Sequence, residues 1–155
     1  MSWITLTVTD LRNRLSPREA DAIARAIGAF DDAAAQAAID DAADTARGYI
    51  RANARNRVAA EPHSVPRALK ADVLAVALVD YCSSVAGMLP DPKGIRKAAY
   101  DRAVKRWEDA AAGKFAVEQP AEGETEDGQS AASPAPPSTY SKDILASRQK
   151  QQGVL

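Results

Sequence analysis

Charged side chains at helical spacing are the residues of this sequence most able to do chemistry. Asp40, Asp41 and Asp44 form the tightest acidic group, and Asp40 and Asp44 lie four residues apart, on one face of a predicted helix. Two carboxylates on one face can bind a hard cation, but neither an Asp-x-Asp-x-Asp-Gly loop nor a third ligand follows. The alternative is an exposed acidic face near the positive end of the helix dipole. We favour that alternative and predict no metal and no cofactor.

A basic group follows on the same predicted helix. Arg47, Arg51 and Arg55 are spaced by four residues and therefore form one basic stripe near the helix C-terminus. Cations there suit the helix dipole, and long arginine stems can cover apolar surface. The alternative is a strip that meets phosphates or an acidic neighbour. In a ring of identical subunits, the acidic group of one copy could contact the basic stripe of the next, which is a hypothesis about assembly.

The other reactive residue types give little sign of catalysis. His63, the single histidine, lies in a predicted loop, and Cys82, the single cysteine, lies in a long apolar helix. We interpret the first as an ordinary loop residue and the second as a small buried hydrophobe. The sequence contains no glycine-rich phosphate loop, no Gly-x-Ser-x-Gly elbow and no Cys-x-x-Cys pair. The prediction is therefore a protein that is not an enzyme.

The composition indicates a helical body that is rich in alanine and poor in large side chains. Hydrophobic residues make up 46% of the chain but aromatic residues only 5%, and the net charge is −1. This balance does not favour nucleic acid as a generic partner. A single cysteine excludes an intrachain disulfide framework. Neither a signal peptide nor a run of about 20 apolar residues is present, so we predict no contact with a membrane.

Helix and strand signals predict a short N-terminal strand or arm followed by several helices. Residues 3–8 alternate and are rich in β-branched types, which predicts a short N-terminal strand or arm that begins at Trp3 and Ile4. Ser16-Pro17-Arg18-Glu19 is a strong helix start, and Asp31 and Asp32 open the helix that carries the charged groups. A fourth helix is predicted from Pro66 to about Leu89. Its apolar residues lie on two sides, which makes it the central helix.

The last predicted helix runs from about Pro92 to Ala112, with Gly113 as its left-handed cap. Residues 114–117 are a candidate short strand beside residues 3–8. The fold class is thus mainly α: a small helical bundle with a central apolar helix, a short N-terminal strand or arm and an extended C-terminal tail.

The composition changes sharply at Glu118. We predict a helical domain over residues 1–117 and an extended tail over 118–155 that is acidic and rich in proline and serine. Within the tail, residues 140–151 are a candidate docking helix, whose sparse apolar residues are Tyr140, Ile144 and Leu145. The arm and this helix are the predicted contact points with neighbouring chains.

The order of these parts resembles the small head–tail connector proteins of tailed phages, also called adaptor or head-completion proteins. The matching segments are Thr9-Asp10-Leu11, residues 39–50, residues 65–73, residues 77–81 and residues 100–114. The resemblance covers roughly residues 9–117 and leaves the tail outside it.

The resemblance implies a helical subunit of a ring, commonly twelve-fold, that lies beneath the portal and extends the DNA channel. The implied partners are copies of the chain itself, the portal protein, a tail-side adaptor or tail terminator, and passing DNA without sequence specificity. The implied location is the head–tail junction of the virion, after assembly in the host cytoplasm. The alternative function is a small helical nucleic-acid-binding phage protein, such as a packaging or regulatory subunit.

Overall fold

The computed structural model describes residues 3–85 and 94–121, together with Thr125. Two short strands and five α-helices follow one another along these residues. They are β1 (Trp3–Ile4), α1 (Val8–Arg12), α2 (Pro17–Ile27), α3 (Asp32–Ala52), β2 (Val65–Pro66), α4 (Lys70–Val85) and α5 (Ile95–Ala111). A single 3-10 turn, Arg67–Leu69, links β2 to α4. The mainly helical fold that the sequence predicts is confirmed.

At the starts of α2 and α3, side chains accept hydrogen bonds from backbone N–H groups that have no partner within the helix. At α2 the backbone N–H of Ser16 donates to Glu19 Oε2 at 2.7 Å, and the Glu19 N–H donates back to Ser16 Oγ at 3.4 Å. This is the predicted capping box, with Pro17 at the first helical position. At α3 the Asp31 side chain accepts from the Ala34 N–H at 3.0 Å. Both starts are therefore determined within one helical turn.

The central position predicted for the fourth helix is confirmed. α4 packs against both α3 and α5, and α3 also contacts α5. The side chains that α4 buries are Val73, Leu74, Val76, Ala77, Leu78, Tyr81 and Cys82. α3 contributes mostly small side chains to the same core: Ala35, Ile39, Ala42, Ala43, Ala46 and Ile50. Small residues allow the three helix backbones to approach closely, so the bundle needs few large side chains.

Aromatic side chains mark the two ends of this core. Trp107 on α5 is 1% exposed, and its ring centroid lies 6.0 Å from that of Tyr49 on α3. At the other end the Tyr81 ring lies 4.8 Å from Phe30, and the Tyr81 hydroxyl accepts from the Asp31 N–H at 3.1 Å. Tyr81 thus connects the start of α3 to the C-terminal part of α4.

The N-terminal strand has a different partner from the one predicted. β1 pairs antiparallel with β2, so that Trp3 lies opposite Pro66 and Ile4 opposite Val65. Residues 114–117, the predicted partner, form no strand. The residue that follows them still contacts β1, because the Trp3 indole N–H donates to the Glu118 carbonyl at 2.9 Å. The prediction was wrong because β-propensity identifies a strand and not its partner.

The predicted start of the fourth helix needs correction. The segment from Pro66 begins with β2 and a 3-10 turn, and the α-helix itself starts at Lys70. The predicted end near Leu89 and the predicted start near Pro92 lie outside the described residues. α5 ends as expected: Gly113 has φ +73, and the Lys114 N–H donates to the Asp109 carbonyl at 2.7 Å.

Candidate interaction surface

The acidic group of α3 is divided among three different environments. Asp40 Oδ1 accepts from Gln36 Nε2 at 2.8 Å, on the same helix. Asp44 Oδ1 lies 3.0 Å from His63 Nδ1, so this carboxylate contacts the loop after α3. Asp41 is exposed. Burial raises the pKa of Asp80 on the neighbouring helix, and the negative charge of Asp41 raises it further. Asp41 and Asp44 are therefore exposed, as the sequence suggested, although Asp44 contacts His63, whereas Asp40 is half-buried.

Arg47 does not belong to an exposed basic stripe. It is 4% exposed, and its guanidinium donates to the loop that returns beneath α3. Nη1 donates to the carbonyls of Glu61 and Ser64, each at 3.0 Å, and to Ser64 Oγ at 3.2 Å. Nη2 donates to the Ala59 carbonyl at 2.8 Å. A planar guanidinium has donors in several directions, which suits it to hold several carbonyls at once.

The other two arginines of the predicted stripe are exposed, but only one is helical. Arg51 lies in the last turn of α3, whereas Arg55 lies beyond the helix end at Ala52. The Arg55 N–H donates to Asn53 Oδ1 at 3.1 Å, within the turn that follows the helix. The prediction of one stripe with three members was wrong because the period of four applies only while the helix continues. The interaction roles of Arg51 and Arg55 stay predictions.

The N-terminal residues predicted as a short strand or arm pack onto their own chain. Trp3 is 8% exposed, and Ile4 is half-buried in the strand pair. The Arg47 guanidinium lies 5.8 Å from the centroid of the Trp3 ring. Trp3 therefore packs beside the loop that Arg47 holds, so the segment is the predicted short strand and not an extended arm. The docking residues Tyr140, Ile144 and Leu145 lie outside the described residues.

The first residues after the predicted domain boundary at 117 also pack onto the body. Val117 and Pro120 are buried. Gln119 Oε1 accepts from the Arg57 N–H at 2.7 Å, and Gln119 Nε2 lies 3.4 Å from Asn56 Oδ1. Further along, Thr125 forms an isolated antiparallel bridge with Ala59. The chain thus returns twice to the segment that follows α3.

The candidate reactive residues have structural surroundings. Cys82 is 3% exposed, as predicted for a small buried hydrophobe, and burial raises the pKa of its thiol. A raised pKa keeps the thiol protonated near neutral pH, and the thiol is the less nucleophilic form. His63 has a positive φ of +56 in the loop and contacts Asp44. Among the described residues, no group of three or more His, Cys, Asp or Glu side chains could hold a metal ion.

Several ion pairs between helices escaped the sequence interpretation. Arg96 on α5 lies 2.8 Å from Glu19 at the start of α2, and both side chains are largely buried. Arg106 on α5 lies 3.0 Å from Asp72 on α4, and burial raises the pKa of that carboxyl despite the pairing. No pattern within one helix could reveal these partners, because each lies on a different element.

The fold and surface define a small helical bundle in which Arg47 is buried, while most other charged side chains are exposed or half-buried, with Asp41 and Arg51 among those exposed on α3. No helix in the described part of the chain is both long and apolar enough to span a bilayer.

Comparison with known proteins identifies the family. The family model described as Bacteriophage Mu, Gp36 matches residues 6–135. The chain therefore belongs to the bacteriophage Mu Gp36 family, which makes it a phage protein and suggests a structural or assembly role. No curated protein and no solved structure matches the chain significantly.

Proposed function

We propose that this chain is a structural subunit of a phage head–tail connector ring, which joins the portal to the tail and extends the DNA channel. One observation carries the proposal. The family match over residues 6–135 and the connector-like order of parts over 9–117 run through the same helices. A phage protein of this size with a helical body fits a role in which shape and attachment matter more than reactivity.

We also propose that the chain has no catalytic role. In the described residues the side chains most able to react are engaged in the fold. Cys82 is buried with a raised thiol pKa, and Asp44 contacts His63. Arg47 holds loop carbonyls and is not directed at a ligand. These contacts support a structural use of each residue.

The ring contact itself is proposed for the exposed side of α3. Asp41 lies in the middle of this helix and Arg51 in its last turn, so its exposed residues carry opposite charges at two positions along the helix. A head-to-tail contact between copies can join two such unlike surfaces and close into a ring. Arg47 is excluded from this contact because it is buried within its own subunit. The proposed partners are further copies, the portal protein, a tail-side adaptor or tail terminator, and the passing DNA.

Electron microscopy of phage particles, with the chain located by a tag or an antibody, tests this proposal. We expect the chain at the vertex through which DNA leaves the head, as a ring between portal and tail. Particles that lack the chain should be filled heads without attached tails. A location in the capsid shell or the tail tip would contradict the proposal. Oligomeric state alone is a poor test, since a connector subunit can remain monomeric until it meets a portal.

The charge contact between copies has a separate test. Charge reversal by R51E should weaken assembly onto particles, and the double variant D41R/R51E should restore part of it. Reversal that left assembly unchanged would contradict the proposed contact on α3 while leaving the connector role itself open to the microscopy test.

A further inference from the structure

Three arginines from two parts of the chain lie near one carboxylate at the start of α4. Asp72 lies in the first turn of α4, and Arg106 of α5 pairs with it at 3.0 Å. Arg102 precedes Arg106 by four residues and lies on the same face of α5. Burial raises the pKa of Asp72. The positive charges of Arg106, Arg102 and Arg14 oppose that rise, so all three act on this carboxylate. We call Arg14, Arg102 and Arg106 the arginine cluster.

The third member of the cluster, Arg14, is brought to the start of α4 by the packing of α1 on α4. It lies in the turn that follows α1, where its backbone N–H donates to the Leu11 carbonyl at 2.9 Å. Lys70 Nζ pairs with Asp10 Oδ1 at 2.6 Å, which joins α1 to α4 two residues before Asp72. The cluster is therefore assembled by tertiary packing from residues distant in sequence.

The cations of the cluster are more exposed than the anion beside them. The Asp72 side chain is 13% exposed, whereas that of Arg106 is 47% exposed. Arg14 and Arg102 are exposed as well. Within the described residues, Arg106 alone of the three forms an ion pair, and Arg102 donates only through Nε, to the Ala98 carbonyl at 3.2 Å. A ligand that approaches from solvent therefore meets guanidinium groups that have donors to spare.

The other carboxylates along this part of α5 contact lysines. Asp101 lies 2.6 Å from Lys97. Asp109 lies 3.0 Å from Lys105, and Glu108 lies 3.9 Å from the same lysine. The arginine cluster thus has three positive charges beside one shared carboxylate, although the net charge of the whole chain is −1. Such a local surplus attracts polyanions at short range, and added salt screens the attraction.

We propose that the arginine cluster is the surface with which this chain binds the phosphate backbone of duplex DNA. Guanidinium groups bind phosphate oxygens through paired, directional hydrogen bonds. Duplex DNA carries one negative charge per about 1.7 Å of its axis, so neighbouring phosphates can engage several guanidinium groups at once. Because such contacts reach the backbone and not the base edges, they hold DNA without reading its sequence.

This inference deepens the proposed function and rests on it for the identity of the polyanion. In a connector ring, the passing DNA would lie against α5 and the turn after α1. The proposed contact between copies uses Asp41 and Arg51 of α3, so one subunit can make both contacts with different residues. The two proposals fail separately, because microscopy locates the chain in the particle, whereas DNA binding by the isolated protein tests the cluster.

Two double variants of the full-length protein separate the cluster from charge in general. R14Q/R102Q removes the two arginines without an ion pair and leaves the pair between α5 and α4 in place. R25Q/R67Q removes the same charge from two exposed arginines elsewhere on the body and is the matched control. All four side chains are exposed, so we expect both variants to unfold at the wild-type temperature, which circular dichroism measures.

Binding to a fluorescent 30-base-pair duplex, followed by anisotropy, compares these variants. Three arginines that contact phosphates give a slope of log affinity against log salt of about −2.7, or roughly a 40-fold loss between 50 and 200 mM salt. With only one member of the cluster left, R14Q/R102Q should show a slope of about −0.9, or roughly a 3.5-fold loss over the same range. The control should keep the wild-type slope.

Asp72→Asn tests the cluster in the opposite direction, because it removes the carboxylate that the arginines share. A unit charge about 6 Å from a phosphate in water has a Coulomb energy that corresponds to roughly a threefold change in affinity. We therefore expect Asp72→Asn to bind the duplex on the order of threefold more tightly than the wild type, a gain that loss of folding does not produce.

Three results would overturn the proposal. The first is no duplex binding by the wild type at the lowest salt concentration, and the second is an equal salt slope for the two double variants. The third is a polyglutamate peptide that displaces the duplex at equal charge concentration and depends on the same arginines. That result would assign the cluster to an acidic protein partner instead of DNA.

Discussion

α3 is held by two interfaces of opposite character. Its apolar interface packs small side chains, such as Ala42, Ala43 and Ala46, against α4 and α5. Its polar interface is with the loop at residues 59–64, where Arg47 donates hydrogen bonds to Ala59, Glu61 and Ser64 beside the Asp44–His63 contact. Arg47 follows Ala43 by one helical turn, yet the two interfaces stabilise α3 by different means.

The two interfaces of α3 contribute to the stability of the fold in different ways. Each buried alanine removes little apolar area from water, so the apolar interface depends on close fit along its whole length. The polar interface concentrates most of its hydrogen bonds in one residue, Arg47, whose partners are three loop carbonyls and the Ser64 hydroxyl. We therefore expect the apolar interface to be most sensitive to changes of volume and the polar interface to loss of a single group.

Removal of the largest side chain in the core should break the apolar interface most severely. Trp107 is 1% exposed, and Trp107→Ala should lower the free energy of unfolding by about 3–5 kcal/mol. Trp107→Phe should cost far less, because within the described structure the indole N–H has no hydrogen-bond partner to lose. Urea unfolding monitored by circular dichroism measures both. A cost for Phe as large as that for Ala would show that the indole nitrogen has a partner after all.

Loss of the Arg47 side chain should come next in size. Arg47→Ala leaves several loop carbonyls without their charged donor and should cost about 2–4 kcal/mol. Arg51→Ala, one turn away and exposed, is the matched control and should stay within about 0.5 kcal/mol. Arg47→Lys should recover only part of the loss, because an ammonium cannot reproduce the planar fork. If Arg47→Ala and Arg51→Ala changed the free energy of unfolding by equal amounts in urea, the hydrogen bonds of Arg47 would not contribute measurably to stability.

Added volume tests the close fit of the apolar interface. Ala43 is fully buried between helices, and Ala43→Leu should destabilise the protein by about 1–3 kcal/mol through overpacking. Ala37→Leu places the same side chain on the exposed side of α3 and should be nearly neutral. Thermal unfolding of the two variants makes the comparison. If the protein with leucine at position 43 were as stable as the wild type, the helices would be able to move apart without a loss of stability.

A smaller effect is expected where α4 meets the start of α3. Tyr81→Phe removes the hydroxyl that accepts from the Asp31 N–H and should cost about 0.5–1.5 kcal/mol, with ring packing against Phe30 retained. Amide exchange at Asp31 should rise in the variant. Unchanged stability together with unchanged exchange would mean that water replaces the hydroxyl without penalty.

The smallest effect concerns pH at the outer edge of the α3–α4 contact. Burial, and next the charge of Asp41, raise the pKa of Asp80. The folded chain therefore binds this proton more readily than the unfolded chain, so the group adds stability as pH falls and removes it as pH rises. Asp80→Asn should be slightly more stable than the wild type at pH 7, and the difference should vanish in acid. The same comparison in the Asp41→Asn background should show a smaller advantage.

Local signals in the sequence were sufficient wherever one helical turn decides the outcome. The start of α2 at Ser16-Pro17, the start of α3 after Asp31 and the glycine cap at Gly113 all follow from groups within a few residues of one another. The two-sided apolar pattern of α4 likewise indicated its central position. These features need no knowledge of the rest of the chain.

Tertiary structure decided everything that depends on residues distant in sequence. Arg47 and Arg51 look equivalent in the sequence, and only the return of the loop over residues 59–64 buries one and leaves the other exposed. Trp3 likewise reads as part of a free strand until β2 and Glu118 are placed around it. Helix periodicity specifies the direction of a side chain relative to its own axis. Whether another segment then covers that side chain depends on long-range packing, which no local pattern contains.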